Sequence, residues 1–445
     1  MISSWRRRRA TPRMPRGSLG DPVELTIPTH FRCPISLDLM KDPVTLSTGI
    51  TYDRASIETW IEGGNFTCPF TNQPLQTIDS IPNHNIRKMI QDWCVENRAY
   101  GIERIPTPRV PASPAQVRDI LEKMTAAARR GDFEGCKSMV EKIKNLGKES
   151  ERNKKCIIAN GTGNTFSSIF EAFSNPETFE KRIEILEEIL SAMTMVFPLQ
   201  EESIKHLKSE TSLQSLAWFL KGGDISGRRN SVLVLKEIIS SYPEKVDELG
   251  VIQGALEGLI KLIKDPICSS SKKASLFVTY HVIASTSSSS NQGRFTKALL
   301  QMGLVSLLLE TLVDAERSVC ERALGAFDGI CETKQGREEA YAHALTMPVI
   351  VKKILRVSDL ATELSVSIVW KLVKNESKEE KEDGGIKVEA LQVGAFQKLL
   401  LLLQVGCSEW TKEKATELLK LLNNLHRDRL ECIDSLDFKD LKRTF

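Results

Sequence analysis

Two rhythms divide this chain. From Ala115 onward, apolar residues return every three or four positions, the spacing of one face of an α-helix. Residues 22–100 instead mix short alternating runs with two helical ones. In the long region, strongly apolar segments begin near Phe166, Leu213, Val251, Leu304, Val349 and Ala395, roughly 40–53 residues apart. Each is followed by a longer amphipathic segment. Most are preceded by a residue suited to a turn, namely Gly163, Gly250, Gly303, Pro348 or Gly394. The spacing predicts a helical pair over 115–147 and then about six units filling 148–445. A single unit cannot bury its own apolar face. The units must therefore stack into an all-α solenoid with one continuous core and a long exposed groove. Stretches 264–273, 286–292 and 375–387 interrupt the period and read as surface loops.

In the earlier region Val44 and Leu46 alternate with Thr45 and Ser47, and Thr48-Gly49 turns the chain into Ile50-Thr51-Tyr52. That is a short β-hairpin. Asp53 suits the N-cap of a helix over 54–62, with Ile57 and Ile61 on its inner face and Gly63-Gly64 at its end. A second helix follows Pro82-Asn83, carrying Ile86, Ile90 and Trp93. Pro106, Pro108, Pro111 and Pro114 make 101–114 a semi-extended linker. Residues 1–21 hold Arg6 to Arg9, Arg13 and Arg16 with no acid before Asp21, which reads as a disordered basic tail or a targeting segment.

Composition narrows the classes. Of the 445 residues 41% are hydrophobic, 27% charged and 6% aromatic, as in a packed protein with Leu/Ile/Val-rich helices. A net charge of +3 gives no case for nucleic acid or an anionic membrane as main partner. No apolar stretch approaches the roughly 18 residues of a membrane span. The 10 cysteines are scattered without a C-x-x-C pair, which suits reduced thiols in an intracellular, cytoplasmic or nuclear protein. No catalytic triad, phosphate loop or cofactor motif is present in the sequence.

Two Cys-Pro loops flanking a helix raise the question of a zinc domain. Two tetrahedral zinc sites need about eight Cys or His ligands in paired spacing. Residues 27–98 offer Cys33, Cys68, Cys94, His30 and His84, none paired, so no metal is expected. Polar side chains must brace the loops instead. The candidates are Ser36, Asp38, Asp42, Thr51, Asp53, Arg54, Thr71 and Asn72, with Cys33 and Cys68 as small buried packers.

These residues carry a resemblance. F-x-C-P-I-S-L-D-L-M-K-D-P-V from Phe31, T-G-I-T-Y-D-R-x-x-I-x-x-W from Thr48, T-C-P-x-T-x-x-P-L from Thr67 and I-P-N-x-x-I-R-x-x-I-x-x-W-C from Ile81 resemble a U-box. That is an α+β, RING-like fold without metal ligands. With the helical array behind it, the chain is similar to plant U-box ubiquitin ligases with C-terminal armadillo repeats, a group associated with stress and immune signalling. The resemblance implies that the first module binds a ubiquitin-conjugating enzyme charged with ubiquitin, while the array holds a protein substrate. It forms no covalent intermediate, and the gain is proximity and orientation. Ile35, with Leu37 nearby, Trp60 and Pro69 align with the conjugating-enzyme surface. Asn72 aligns with the residue that pins the ubiquitin tail, a position where many relatives carry Arg. Cys33, Asp42, Asp53, Arg54 and Cys68 are then structural. A non-catalytic armadillo scaffold with a degenerate U-box is the alternative.

Overall fold

The computed structural model describes residues 26–105, 111–285, 294–376 and 385–434. The basic segment 1–21 and the stretch 286–292 lie outside these residues, as do 106–110 of the linker and most of 375–387. The chain forms two compact units, divided after Val110.

The first unit is built on a three-stranded antiparallel sheet in the order β2-β1-β3. Strands β1 (Pro43–Thr45) and β2 (Thr51–Asp53) form the expected hairpin, with Val44 opposite Tyr52. Strand β3 (Ile81–Pro82) was not expected. It is too short to show a period, and only the packing of the chain brings Ile81 opposite Thr45. Helix α1 (Arg54–Glu62) follows β2 directly, and α2 (His84–Glu96) follows β3. Asp53 stands at the N-cap of α1, yet its carboxylate does not cap the helix. It accepts instead from Lys41 N and Asp42 N, both at 2.8 Å, and fixes the end of the first loop. Asn83 is a true cap, its side chain accepting from Ile86 N at 3.0 Å. Phe31, Met40, Val44, Tyr52, Ile57 and Ile90 form the core. Residues 101–105 belong to this unit too, because Ile105 is buried in its core and Ile102 packs against it.

The second unit begins with α3 (Pro114–Arg130) and α4 (Phe133–Glu149). Pro114 is therefore the first helical residue rather than linker. The missing N–H of proline costs nothing there, and Ser113 caps the helix by accepting from Gln116 N. Six triplets follow. They are α5 (Glu151–Ala159), α6 (Thr162–Phe173) and α7 (Ile183–Met193); α8 (Glu201–Leu207), α9 (Glu210–Gly222) and α10 (Ile225–Ser241); α11 (Lys245–Val251), α12 (Ala255–Lys264) and α13 (Ser269–Ser285). The later three are α14 (Arg294–Gln301), α15 (Leu304–Asp314) and α16 (Arg317–Ile330); α17 (Lys334–Ala342), α18 (Thr346–Lys353) and α19 (Asp359–Lys374); α20 (Gly385–Gln392), α21 (Ala395–Val405) and α22 (Glu409–Asp434).

The third helices pack as one ladder, α7-α10-α13-α16-α19-α22, and α4 adds its first rung. The second helices from α6 to α18 form a parallel ladder, to which α3 adds the first rung. The leading pair thus behaves as a unit without its short helix. Between the ladders runs one continuous apolar core. Short and second helices meet sharply, at 69° for α14 with α15 and 66° for α20 with α21. The left-handed residue at that corner is Gly303 or Gly394, as expected.

Three expected turn residues sit elsewhere. Gly163 lies inside α6 and Gly250 inside α11, while the corners fall at Gly161 and Gly254, with φ of 73° and 90°. Gly250 answers a packing need, since a Cβ there would meet the Phe295 ring at 2.8 Å. Pro348 lies in the first turn of α18, where an N–H is not needed. Helix α13 starts at Ser269, so the expected loop 264–273 shrinks to 265–268. Among the described residues no single helix is long and apolar enough to cross a membrane.

Candidate functional site

The first unit carries two loops of one construction. Leu37 N donates to Cys33 O and Cys33 N to Asp38 O, both at 2.8 Å. Asn72 N donates to Cys68 O and Cys68 N to Gln73 O, also at 2.8 Å. Leu37 and Asn72 both take the left-handed conformation, with φ of 61° and 55°. Each loop is then closed by an isolated bridge, Arg32 with Leu39 and Thr67 with Pro74. The loops correspond residue for residue, so Cys33 pairs with Cys68, Pro34 with Pro69, Ile35 with Phe70, and Leu37 with Asn72.

That correspondence refines the expected site. Ile35 is half-buried and Leu37 is 69% exposed. In the second loop the counterpart of Ile35 is Phe70, 68% exposed, while Pro69 is half-buried. Phe70 was missed, although the repeated pattern Cys-Pro-apolar-hydroxyl in 33–36 and 68–71 pointed to it. Trp60 is half-buried on α1, and its Nε1 donates to Thr67 O at 2.9 Å, which ties the helix to the second loop. Trp60 thus joins Ile35 and Pro69 in lacking full burial, and it also braces the second loop. Asn72 is exposed at the loop's tip.

The bracing is polar. Asp42 accepts from Arg54 Nε at 2.7 Å and from Arg87 Nη2, and Arg54 Nη1 donates to Ser80 at 3.0 Å. One carboxylate therefore links the first loop to α1 and α2, and through Arg54 reaches the segment before β3. Asn83 Nδ2 donates to Thr45 at 3.2 Å, while Thr45 and Thr51 share a bond of 2.9 Å. Arg87, Asn83 and Tyr52 were not among the expected braces, because nothing local to them shows which strand or loop they reach. Tyr52 is buried with its hydroxyl 3.0 Å from Cys68 Sγ, and it accepts from Phe70 N at 3.2 Å.

The sulfurs sit among donors. Burial alone raises the Cys68 thiol, but hydrogen bonds from Thr48, Thr71 and Tyr52 outweigh it and bring it to about 6. Burial and that same sulfur push the Tyr52 phenol up. For Cys33, burial is likewise outweighed by backbone donors, including Asp53 N at 3.3 Å, and its thiol is lowered. Cys33 and Cys68 are both fully buried, as packers would be. Among the described residues no group of three or more His, Cys, Asp or Glu side chains gathers to hold a metal ion.

In the second unit, neighbouring third helices are tied together by two buried lysines, Lys371 and Lys414. Lys414 lies over the Trp410 ring at 3.3 Å and the Trp370 ring at 4.9 Å. Trp370 Nε1 donates to Glu417 at 2.6 Å. Lys371 is held between Asp328 at 2.8 Å and Glu332 at 2.7 Å.

Residues 27–99 match the U-box domain family, and residues 116–443 match the plant U-box protein ARM repeat region. U-box domain-containing protein 21 of Arabidopsis thaliana is 50% identical over 423 residues, covering 95% of this chain and 94% of its own. E3 ubiquitin-protein ligase PUB23 of the same plant is 31% identical over 411 residues, covering 91% of this chain and 95% of its own. Among solved structures, the designed armadillo repeat protein YIII(Dq)4CqI aligns with 54% of this chain and 94% of its own, at 20% identity and a TM-score of 0.43.

Proposed function

The chain belongs to the plant U-box proteins with an armadillo repeat region, and from that premise we propose that it is a ubiquitin-protein ligase acting without a covalent intermediate. The observation that carries the reading is the pair of matched loops on a braced scaffold. They present Leu37 and Phe70 to solvent, with Ile35, Pro69 and Trp60 incompletely buried. Exposed apolar side chains on rigid loops suit a docking surface, because little entropy is lost when they are covered. In this reading the loops and Trp60 hold the charged conjugating enzyme, and the array holds a protein substrate. Transfer to a substrate lysine then gains from proximity and orientation. Asn72, exposed at the tip of the second loop, would in this reading hydrogen-bond the ubiquitin tail, with one amide where a guanidinium offers more donors. The protein would act inside the cell, in cytoplasm or nucleus, where its thiols stay reduced.

The test mixes the full chain with ubiquitin, an activating enzyme and a panel of conjugating enzymes, with and without chelator. Auto-ubiquitination that survives the chelator and is lost in Ile35→Ala and Phe70→Ala is expected. Silence with every conjugating enzyme would favour a non-catalytic scaffold.

A further inference from the structure

The third-helix face is not uniform. Across α13, α16 and α19 it opens into a cavity of about 380 Å³, within the roughly 300–1,000 Å³ range of ligand pockets. Its walls are Phe277 and Tyr280 on one side and Leu360 and Leu364 on the other. Tyr280 and Leu360 are exposed, at 39% and 50%. Between them stands Gly325, in the middle of α16, where a Cβ would come only to 3.5 Å from the Tyr280 ring. Mid-helix glycine is unfavourable relative to alanine. Here it leaves the space between two apolar walls empty.

The rim sets the charge. Lys273 is paired with Glu316 at 2.6 Å. Glu321 is engaged by Arg317 at 3.1 Å and accepts from Ser358 at 2.6 Å. Glu363 turns to α22, accepting from Ser408 at 2.6 Å. Arg322, which lines the cavity, has no ion-pair partner among the described residues, and its Nη1 donates only to Ser318 O at 2.9 Å. The guanidinium keeps further N–H groups for a ligand, in a geometry that matches a carboxylate.

We propose that this cavity is a subsite for one large apolar side chain, Leu or Phe, of a partner protein segment that carries a neighbouring acidic residue to pair with Arg322. The proposal deepens the substrate-holding role given to the array and rests on that reading. It commits to acidic–apolar segments rather than basic ones because the unmatched charge beside the cavity is positive.

The test uses the full chain and three fluorescein-labelled synthetic peptides. One has a central Phe between Glu residues, the second has Ala in place of Phe, and the third has Lys in place of Glu. The Phe/Glu peptide should bind at least about tenfold more tightly than either other peptide, as expected for burying one aromatic side chain or pairing one charge. Gly325→Leu puts a side chain into the cavity; in a variant whose melting temperature shows that folding is retained, binding of the Phe/Glu peptide should fall about tenfold or more. Arg322→Glu should invert the preference toward the Lys peptide. Equal binding of all three peptides, no binding of any, or unchanged binding by Gly325→Leu would overturn the subsite. Auto-ubiquitination of the same samples separates the two readings. If it persists while the peptides fail to discriminate, the subsite fails alone. If the peptides discriminate in a chain that never transfers ubiquitin, the ligase reading fails instead.

Discussion

Asp42 binds one arginine from each of the two helices of the first unit, and Asp42→Asn tests that role with almost no change of shape. Asp42 binds both Arg54 and Arg87, and the three side chains are 22%, 15% and 11% exposed. Neutralising the carboxylate leaves two largely desolvated cations facing an amide. Arg54 keeps Ser80 at 3.0 Å and Glu58 at 3.7 Å, but among the described residues Arg87 keeps only His84 at 3.3 Å, so the larger loss falls on Arg87. Removing one partner of a fully buried pair costs about 3–5 kcal/mol. With the remaining solvent access, about 2–4 kcal/mol is expected. A unit of this size has roughly 4–12 kcal/mol in total at 0.05–0.15 per residue, so the change removes a large share. Native-state hydrogen exchange of the full chain, read at the amides of α1 and α2, measures it locally. Adding Arg87→Met should recover part of the loss, because no unpaired cation remains at that position. A change below about 0.5 kcal/mol for Asp42→Asn, or a double variant no better than the single, would refute the idea that one carboxylate braces the module.

Other outcomes follow from the same geometry. Phe70→Ala should leave thermal stability nearly unchanged, since the ring is exposed, yet reduce ubiquitin transfer more than Pro69→Ala does; equal effects in a transfer assay would return the site to Pro69. Tyr52→Phe removes the hydroxyl that holds both Cys68 Sγ and Phe70 N, which should cost about 1–3 kcal/mol in urea unfolding and weaken transfer with the second loop loosened. Asn72→Arg should speed discharge of a charged conjugating enzyme in single-turnover assays, and no gain would remove Asn72 from the ubiquitin-facing surface. In the array, burial and then the hydrogen bond and charge of Asp224 push Glu187 up to about 7. A carboxyl raised on folding favours the folded state below its ordinary value, near 4.5, and loses that contribution as pH rises to about 7. Glu187→Gln should therefore flatten the decline in array melting temperature between pH 5 and pH 8.

Much of this protein is local and was therefore legible. Helical period marked every second and third helix of the array, because a face that must be buried repeats along its own helix. Helix α1 could be bounded from Asp53 and Gly63 alone, and Cys33 and Cys68 could be read as packers from their lack of paired ligands. What could not be read were relations between distant residues. Gly250 looks like a corner but is a space left for Phe295, forty-five positions on. Asp53 looks like a cap but reaches back to Lys41 and Asp42, because two main-chain donors there outcompete its own helix. The match between the two loops was hinted at by the repeat Cys-Pro-apolar-hydroxyl, and their shared hydrogen bonds put Phe70, not Pro69, where Ile35 stands. Sequence determined which elements form, since period, caps and turns act within a few residues. Tertiary structure decided which polar groups meet and where apolar surface is left uncovered, since both depend on chain segments that composition and spacing leave unconnected.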